Sequence, residues 1–329
     1  MSDVFPVIKV AAVQAVAPFL DREAATEKAC KLILDAGRNG AQLIVFPEGF
    51  IPSHPNWYHH HVATGPVASD LALRLFKNSV AIPGPEISAL CKAAKEAKAY
   101  VVMGVCEKAE GALGTMFNSQ VHIGPDGALI GKHQKTMPTV GERMVHAGGF
   151  GDTFGAFQTV HGPMSSLICG ENGNPLALFA LAAEQTRVHA MSWPPYVGSA
   201  GRPLRQVVEL QSRAFAMMAG CFVVSACGAI DEATIAAMSL PEEHAARLRD
   251  PAYTGGSIVV SPGGDIIAGP LGAEEAIIYA DCEVERSVRQ KLVMDYTGHY
   301  NRPDIFQLKV NKAPGQLLRN WQPGVDDID

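Results

Sequence analysis

The sequence predicts an α/β fold in which mixed sheets are covered by helices. Three observations carry this reading. Short apolar runs alternate with stretches of helical periodicity; two pairs of runs turn on Pro/Gly signals typical of hairpins; and no stretch of linker composition interrupts the chain. Helix-joined units imply parallel strands and hairpins imply antiparallel ones, so both kinds of pairing are expected in the same sheets.

In chain order, Ile8–Val16 reads as a strand rich in β-branched residues. Asp21 caps a helix whose Ala25, Ala29, Leu32, Ile33 and Ala36 share one face, with Gly37 and Gly40 expected to stop it. The continuous apolar run Ala41–Phe46 suits a strand covered on both faces. Val67–Ser79 and Glu86–Lys98 read as helices, and Tyr100–Cys106 as the strand that follows. Phe117–Gly124 and Ala128–His133 flank Pro125-Asp126-Gly127, a hairpin signal; Gly256–Ile267 repeats it on Pro262-Gly263-Gly264. Met164–Cys169 and Val188–Ser192 are strands separated by the helix Pro175–Gln185, and Pro203–Ala219 is a helix running into the strand Cys221–Cys227. Asp231–Asp250, polar and helix-forming, reads as a surface insertion. No internal repeat is visible. The expected organisation is one domain over residues 1–310 and an extended tail over 311–329.

Composition narrows the function. Of 329 residues 47% are hydrophobic and 18% charged, enough for a sizeable core and against disorder. A formal charge of −6 without a basic cluster argues against nucleic acid as partner. The opening MSDVFPVIKVAAVQ lacks the basic and apolar regions of a secretory signal, and no apolar run is long enough to span a membrane. Seven scattered cysteines, odd in number and without CxxC spacing, fit neither a disulfide framework nor a zinc ribbon. Reduced thiols in the cytoplasm are expected.

Three residues stand out chemically. Cys169 ends an apolar strand and is followed by Gly170-Glu171-Asn172-Gly173-Asn174 and a helix led by Pro175. That arrangement presents a side chain at a sheet end, with a helix N-terminus expected to favour a thiolate and the Gly170 N–H open to an oxyanion. Burial as a small hydrophobe is the structural alternative. Glu48 closes the run Phe46-Pro47 at a sheet edge, where desolvation is expected to raise its pKa towards that of a general base; a capping role in a loop is the alternative. Lys135 follows a hairpin strand and could hold the charge of a tetrahedral intermediate, whereas Lys132 falls on the opposite face of a regular strand. A solvated surface charge is the alternative for either lysine.

Their coincidence resembles a known family. IVFPEGFIPSHPNW, GKHQKTMPTVGER and LICGENGNPLALFAL are similar, in order and spacing, to the glutamate, lysine and cysteine motifs of the nitrilase superfamily of carbon–nitrogen hydrolases. DYTGHYNRPDIFQL resembles a segment of its true nitrilase branch, and the likeness runs from Ile8 to about Leu308. The resemblance implies a four-layer αββα sandwich with two mixed β-sheets. It also implies a Glu-Lys-Cys triad: Glu48 as general base, Lys135 as charge stabiliser and Cys169 as nucleophile. Glu142 matches a second glutamate placed beside the nucleophile. Many members carry tryptophan where this chain has Gly170, which bears on pocket shape.

The expected activity is hydrolysis of a nitrile to the carboxylic acid and ammonia through a thioimidate and a thioester, without metal or other cofactor. A cyanide hydratase or other amide-forming nitrile hydrolase is the near alternative; an aliphatic amidase or carbamoylase, and a non-catalytic binding member, stand further off. Trp57, Gly170, Trp193, Pro194 and Tyr196 are the expected substrate-binding residues. Three successive histidines, His59, His60 and His61, cannot converge on one ion from a regular element and are read as a loop bordering the pocket. Gly148-Gly149-Phe150-Gly151 matches no nucleotide-binding loop, and His299 is read as structural. The family likeness further implies a homo-oligomer, a dimer paired across the helices at Pro175–Gln185 and Pro203–Ala219 that extends to larger spirals.

Overall fold

The computed structural model describes residues 3–196 and 203–315, so the expected tail lies outside the described residues from 316 onward. Among the described residues, eleven strands and eight α-helices follow in order. They are β1 (Val7–Val16), α1 (Arg22–Arg38), β2 (Leu43–Val45), α2 (Pro66–Asn78), α3 (Pro85–Ala97), β3 (Tyr100–Lys108), β4 (Met116–Ile123), β5 (Leu129–Gln134), β6 (Met164–Ile168) and α4 (Pro175–Ala183). After these come β7 (Val188–Trp193), α5 (Leu204–Ala219), β8 (Phe222–Ala229), α6 (Glu232–Ala237), α7 (Glu242–Arg249), β9 (Ile258–Val260), β10 (Ile266–Ala268), β11 (Ala276–Glu283) and α8 (Val284–Val293).

The strands form two mixed sheets. In the first, β1, β2 and β3 run parallel, β4 and β5 follow antiparallel, and β11 closes the other edge antiparallel to β1. In the second, β6, β7 and β8 run parallel and β9 and β10 follow antiparallel. Each sheet thus repeats one plan, three parallel strands then a hairpin, though the sequence shows no repeat. A short parallel pairing, Ala15 with Gly228 and Val16 with Ala229, joins them.

Three apolar clusters make the layers. Ile8, Val10, Leu43 and Val102 of the first sheet meet Met164, Val188, Phe222 and Val224 of the second. The outer face of the first sheet packs under α1 and α3 through Val13, Ile44, Ile33 and Leu90. The outer face of the second packs under α4 and α5 through Met191, Val223, Leu181 and Phe215. The result is the αββα sandwich, and among the described residues no helix is long and apolar enough to cross a membrane.

Three differences from the sequence reading have physical causes. Gly37 lies inside α1 rather than stopping it, because α1 crosses α3 so closely that a Cβ there would sit 2.6 Å from Ala97 Cβ. Asp231–Asp250 is not a mere surface insertion: Ile235, Met238, Ala245 and Leu248 of this segment are buried against Trp57, Leu71 and Tyr196. The sequence reading assigns nothing to β11 and α8, yet β11 pairs along nearly all of β1 and contributes Cys282 to the inter-sheet layer.

Candidate active site

The polar centre lies between the sheets at one end, and β4 shows why. All its residues are buried, and alternation sends Asn118, Gln120 and His122 towards the second sheet. Gln120 Nε2 donates to Ser192 Oγ at 2.8 Å, and His122 Nε2 lies 2.7 Å from Ser166 Oγ. Asn118 instead donates through Nδ2 to Glu48 Oε1 and Glu142 Oε1, both at 2.7 Å.

Glu48 reaches this point from an extension of β2. Phe46 N–H pairs with Val102 O at 2.8 Å, and Glu48 N–H donates to Trp193 O at 3.1 Å across the sheets. Lys135 follows β5, with its N–H on Asn118 O at 2.8 Å and its carbonyl accepting from Gly149 N–H at 2.8 Å. A Cβ on Gly149 would fall 2.4 Å from Gln134 O, so the glycine-rich stretch serves close backbone approach beside Lys135. Lys132 and Gln134 turn to the other face and bond Glu107, as the expected alternation requires. Glu142 sits in the 3₁₀ turn Val140–Met144, where Thr139 N–H donates to its Oε2 at 2.8 Å.

The structure therefore brings Glu48, Lys135 and Glu142 into one buried network. Lys135 Nζ stands 2.8 Å from Glu48 Oε1 and 2.6 Å from Glu142 Oε2. His54 Nε2 is 3.2 Å from Glu48 Oε1, and His146 Nδ1 is 3.2 Å from Glu142 Oε1. Glu48 Oε2, though buried, has no hydrogen-bond partner among the described residues. Donor atoms of Glu48, His54 and Glu142 lie within 4.8 Å of one another, but the ammonium of Lys135 already bridges the two carboxylates. This donor set is an ammonium site.

Cys169 comes to the same network from the second sheet. It is no longer in strand: β6 ends at Ile168 and Cys169 opens a 3₁₀ turn to Gly173 with φ +49°. A non-glycine residue held there costs about 1–2 kcal/mol, and it turns the thiol out of the sheet. Ser53 and Val140, beside His54 and Glu142, also have positive φ, so strain gathers around this centre.

Electrostatics correct two expectations. Burial raises the Glu48 carboxyl, but Lys135 and His54 outweigh it and hold the group below its ordinary value. It is an ionised acceptor, not a carboxyl of raised pKa. Burial, then the neighbouring Glu48 carboxylate, push the Cys169 thiol well above its ordinary value despite Lys135 and the Gly170 N–H. The helix N-terminus expected to favour a thiolate is occupied, since Asn174 Oδ1 accepts from Leu176 N–H and Ala177 N–H of α4. The resting Cys169 side chain is a thiol rather than a thiolate. Lys135 remains an ammonium: burial lowers it, but Glu48 and Glu142 carry it well above its ordinary value.

The expected substrate-binding residues are distributed differently. Gly170 is exposed, and a Cβ there would meet only Thr139 Oγ1 at 3.3 Å. Trp193 lies one step past the Ile168–Ser192 pairing and packs in the same apolar cluster as Cys169. Trp57 is turned into the core against Phe19, and Tyr58 beside it carries the phenol that feels Glu142, Lys135, Glu48 and Cys169. Pro195 rather than Pro194 lines the small cavity at Glu48 and His54. Tyr196 is buried, its ring stacked 5.7 Å from His60. The three histidines diverge, as expected: His61 Nε2 meets Met238 O at 2.8 Å, while burial lowers His59 and His60 to about 4. Asn118, His54 and His146 are absent from the sequence reading. The run Asn118-Ser119-Gln120 inside an apolar strand was the available signal for the first; the two histidines carry none in their spacing.

Comparison with known proteins gives a consistent set. The family model described as carbon-nitrogen hydrolase matches residues 9–291. A protein named nitrilase 2, from an unknown prokaryotic organism, is 36% identical over 314 residues, covering 95% of this chain and 96% of that one. A nitrilase of Paraburkholderia phymatum is 34% identical over 94% of this chain and 88% of that one. The crystal structure of a carbon-nitrogen hydrolase from Helicobacter pylori G27 superposes with a TM-score of 0.70 at 19% identity, over 91% of this chain and 97% of that one, a likeness of fold.

Proposed function

We propose, from the premise that this chain belongs to the carbon–nitrogen hydrolase family of the nitrilase superfamily, that it is a nitrilase, converting a nitrile to the carboxylic acid and ammonia. The observation that carries this reading is the free, ionised oxygen of Glu48 within a network that also fixes Lys135 beside a thiol at a strained turn. Glu48 Oε2 takes the Cys169 proton as sulfur attacks the nitrile carbon, and that proton passes to nitrogen to give the thioimidate. Water, deprotonated by Glu48, adds to the same carbon, and Glu48 passes that proton to the nitrogen. Lys135 and the Gly170 N–H hold the developing charge of the tetrahedral centre, and the carbon–nitrogen bond breaks as the hydroxyl proton, relayed by Glu48, reaches the nitrogen and ammonia leaves. A second water cleaves the thioester, releasing the acid and restoring the thiol. Glu142 holds Lys135 as a second counter-charge, and no step calls for a metal.

Ammonia release from a panel of aliphatic, aromatic and arylacetic nitriles tests this, with acid and amide both quantified and chelator present throughout. Acid is expected as the main product. Faster hydrolysis of the matching amides would move the chain to the amidase reading, predominant amide would make it a hydratase, and loss of rate restored by zinc would overturn the metal-free mechanism.

Two further proposals accompany it. The seven cysteines are unpaired, which supports a cytoplasmic location; disulfides in the isolated native protein would count against it. Leu176 of α4 and Leu210 of α5 are 63% and 62% exposed on a cleft of about 1030 Å³ that Tyr300 and Phe306 also line. This cleft lies apart from the catalytic centre, and it supports pairing of two copies across α4 and α5. Light scattering showing a stable monomer at micromolar concentration would refute the dimer.

A further inference from the structure

We propose that Glu171 is a positioning residue, which sets Lys135 against Cys169 by tying the end of β5 to the turn after β6. The inference rests on the hydrolase reading above and deepens it.

Glu171 lies two residues beyond Cys169 and is buried. Its Oε1 accepts from Thr136 N–H at 2.7 Å and from Thr136 Oγ1 at 2.6 Å. Its Oε2 accepts from Ile168 N–H at 3.1 Å and from His133 Nε2 at 2.9 Å. An ionised carboxylate offers about four acceptor positions, and all four are taken. The donors are not arbitrary. Thr136 follows Lys135, His133 precedes it by two, and Ile168 precedes Cys169. One side chain thus clamps the neighbours of the charge stabiliser, on the first sheet, to the neighbour of the nucleophile, on the second.

The clamp matters because the turn it holds is strained. Cys169 at φ +49° has an incentive to relax, and its carbonyl is restrained by Asn172 Nδ2 at 3.0 Å, with Asn172 Oδ1 itself 3.0 Å from His189 Nε2. Asn172 fixes the shape of the turn; Glu171 fixes where it stands relative to Lys135. Burial raises the Glu171 carboxyl, but His133 and Thr136 together bring it below its ordinary value, so it stays ionised and keeps all four donors. It has no oxygen left to take a proton, which separates its role from that of Glu48.

The test is Glu171→Gln, whose amide NH₂ must face donors and so breaks at least one arm of the clamp. Two readouts are taken on the full protein. The first is the rate at which iodoacetamide labels Cys169, followed on its peptide by mass spectrometry, which needs no nitrile. The second is nitrile turnover. Labelling of Cys169 is expected to slow about tenfold, and kcat to fall about 100-fold with KM within about threefold, as for a misplacement near 1 Å. Thr136→Val, which removes one of the four bonds, should give about a fivefold fall in kcat.

Wild-type labelling and kcat in Glu171→Gln would overturn the proposal. So would faster labelling of the buried Cys106, Cys221 and Cys227, since general loosening would then explain the loss. If Glu171→Gln does not fold, unchanged labelling and kcat in Thr136→Val is the overturning result. Should the wild type label at Cys169 yet hydrolyse no nitrile, the substrate reading fails while the labelling comparison still decides the role of Glu171.

Discussion

Two buried carboxylates, one acting on the Cys169 thiol and the other lying two residues along the chain from it, have opposite hydrogen-bond patterns. Glu48 has one oxygen crowded by Lys135, Asn118 and His54 and the other without a partner among the described residues. Glu171 has both oxygens saturated by four donors. Both are held below their ordinary carboxyl values, so ionisation does not distinguish them. Free acceptor capacity does. A carboxylate with an open lone pair can receive a proton during reaction, whereas a saturated one must first surrender a bond. The comparison separates a group suited to proton transfer from one suited to holding geometry.

The largest expected effects break the Glu48 side. Cys169→Ala should abolish turnover with the fold intact, and Glu48→Gln and Lys135→Ala should each lower kcat by about three orders of magnitude or more. Lys135→Ala should also destabilise by ~3–5 kcal/mol, since it strands two facing carboxylates in the interior. Glu171→Gln should fall clearly short of Glu48→Gln in lost kcat. Steady-state rates and thermal melts on the four variants decide this; equal losses at Glu48 and Glu171 would erase the distinction.

How far the sequence reveals this depends on what kind of interaction is involved. Alternating and helical patterns give β1, α1, the β4–β5 and β9–β10 hairpins and the helices over the second sheet to within a few residues, because they are local. The placement of Glu48, Lys135 and Cys169 is legible because each follows a strand run, where a side chain leaves the sheet. The direction of the Glu48 shift is not legible, since it is set by Lys135 from 87 positions away. Nor is the role of Asn118, His54 or Glu171, whose partners come from other elements. Trp57 misleads for a related reason: aromatic character marks it, but only packing shows that it faces the core while Tyr58 faces the charges.

Acid titration sharpens the comparison at intermediate magnitude. Burial lowers His122 and His189 to about 3, so both are neutral when folded and take up protons more readily when unfolded. Their stabilisation is complete above the unfolded value of 6.5 and is lost as pH falls from there towards about 3. Glu48, Glu142 and Glu171 are also lowered, from 4.5, so their stabilisation is complete above 4.5 and lost below it. His54 is raised; its contribution is full below 6.5 and adds no acid loss. Stability in urea should therefore decline in two limbs, by about 1.4 kcal/mol per pH unit for each extra proton bound on unfolding. In Glu171→Gln the limb below 4.5 should become shallower and the one above it stay unchanged. A shallower upper limb instead would mean that the carboxylate assignment is wrong.

The smallest expected effect is at Lys132, and it tests whether saturation protects a buried carboxylate in general. Lys132 and Lys135 are three residues apart but turn to opposite faces, one to Glu107 and the other to Glu48 and Glu142. Glu107 is buried, and besides Lys132 it accepts from Ser119 Oγ at 2.6 Å and Gln134 Nε2 at 3.0 Å. Removing the lysine charge leaves those two donors in place, and the side chain is already 28% exposed, so water can reach the vacated oxygen. Lys132→Gln should therefore cost no more than about 1 kcal/mol, the range of a partly exposed ion pair. Turnover should stay within about twofold, because Glu107 lies on the outer face of the sheet and touches none of the reacting groups. Lys135→Ala and Lys132→Gln, measured side by side, set a carboxylate that loses its counter-charge at the reacting centre against one that keeps two donors. A large loss of activity in Lys132→Gln would show that the two faces of β5 are coupled and that donor saturation alone does not separate them.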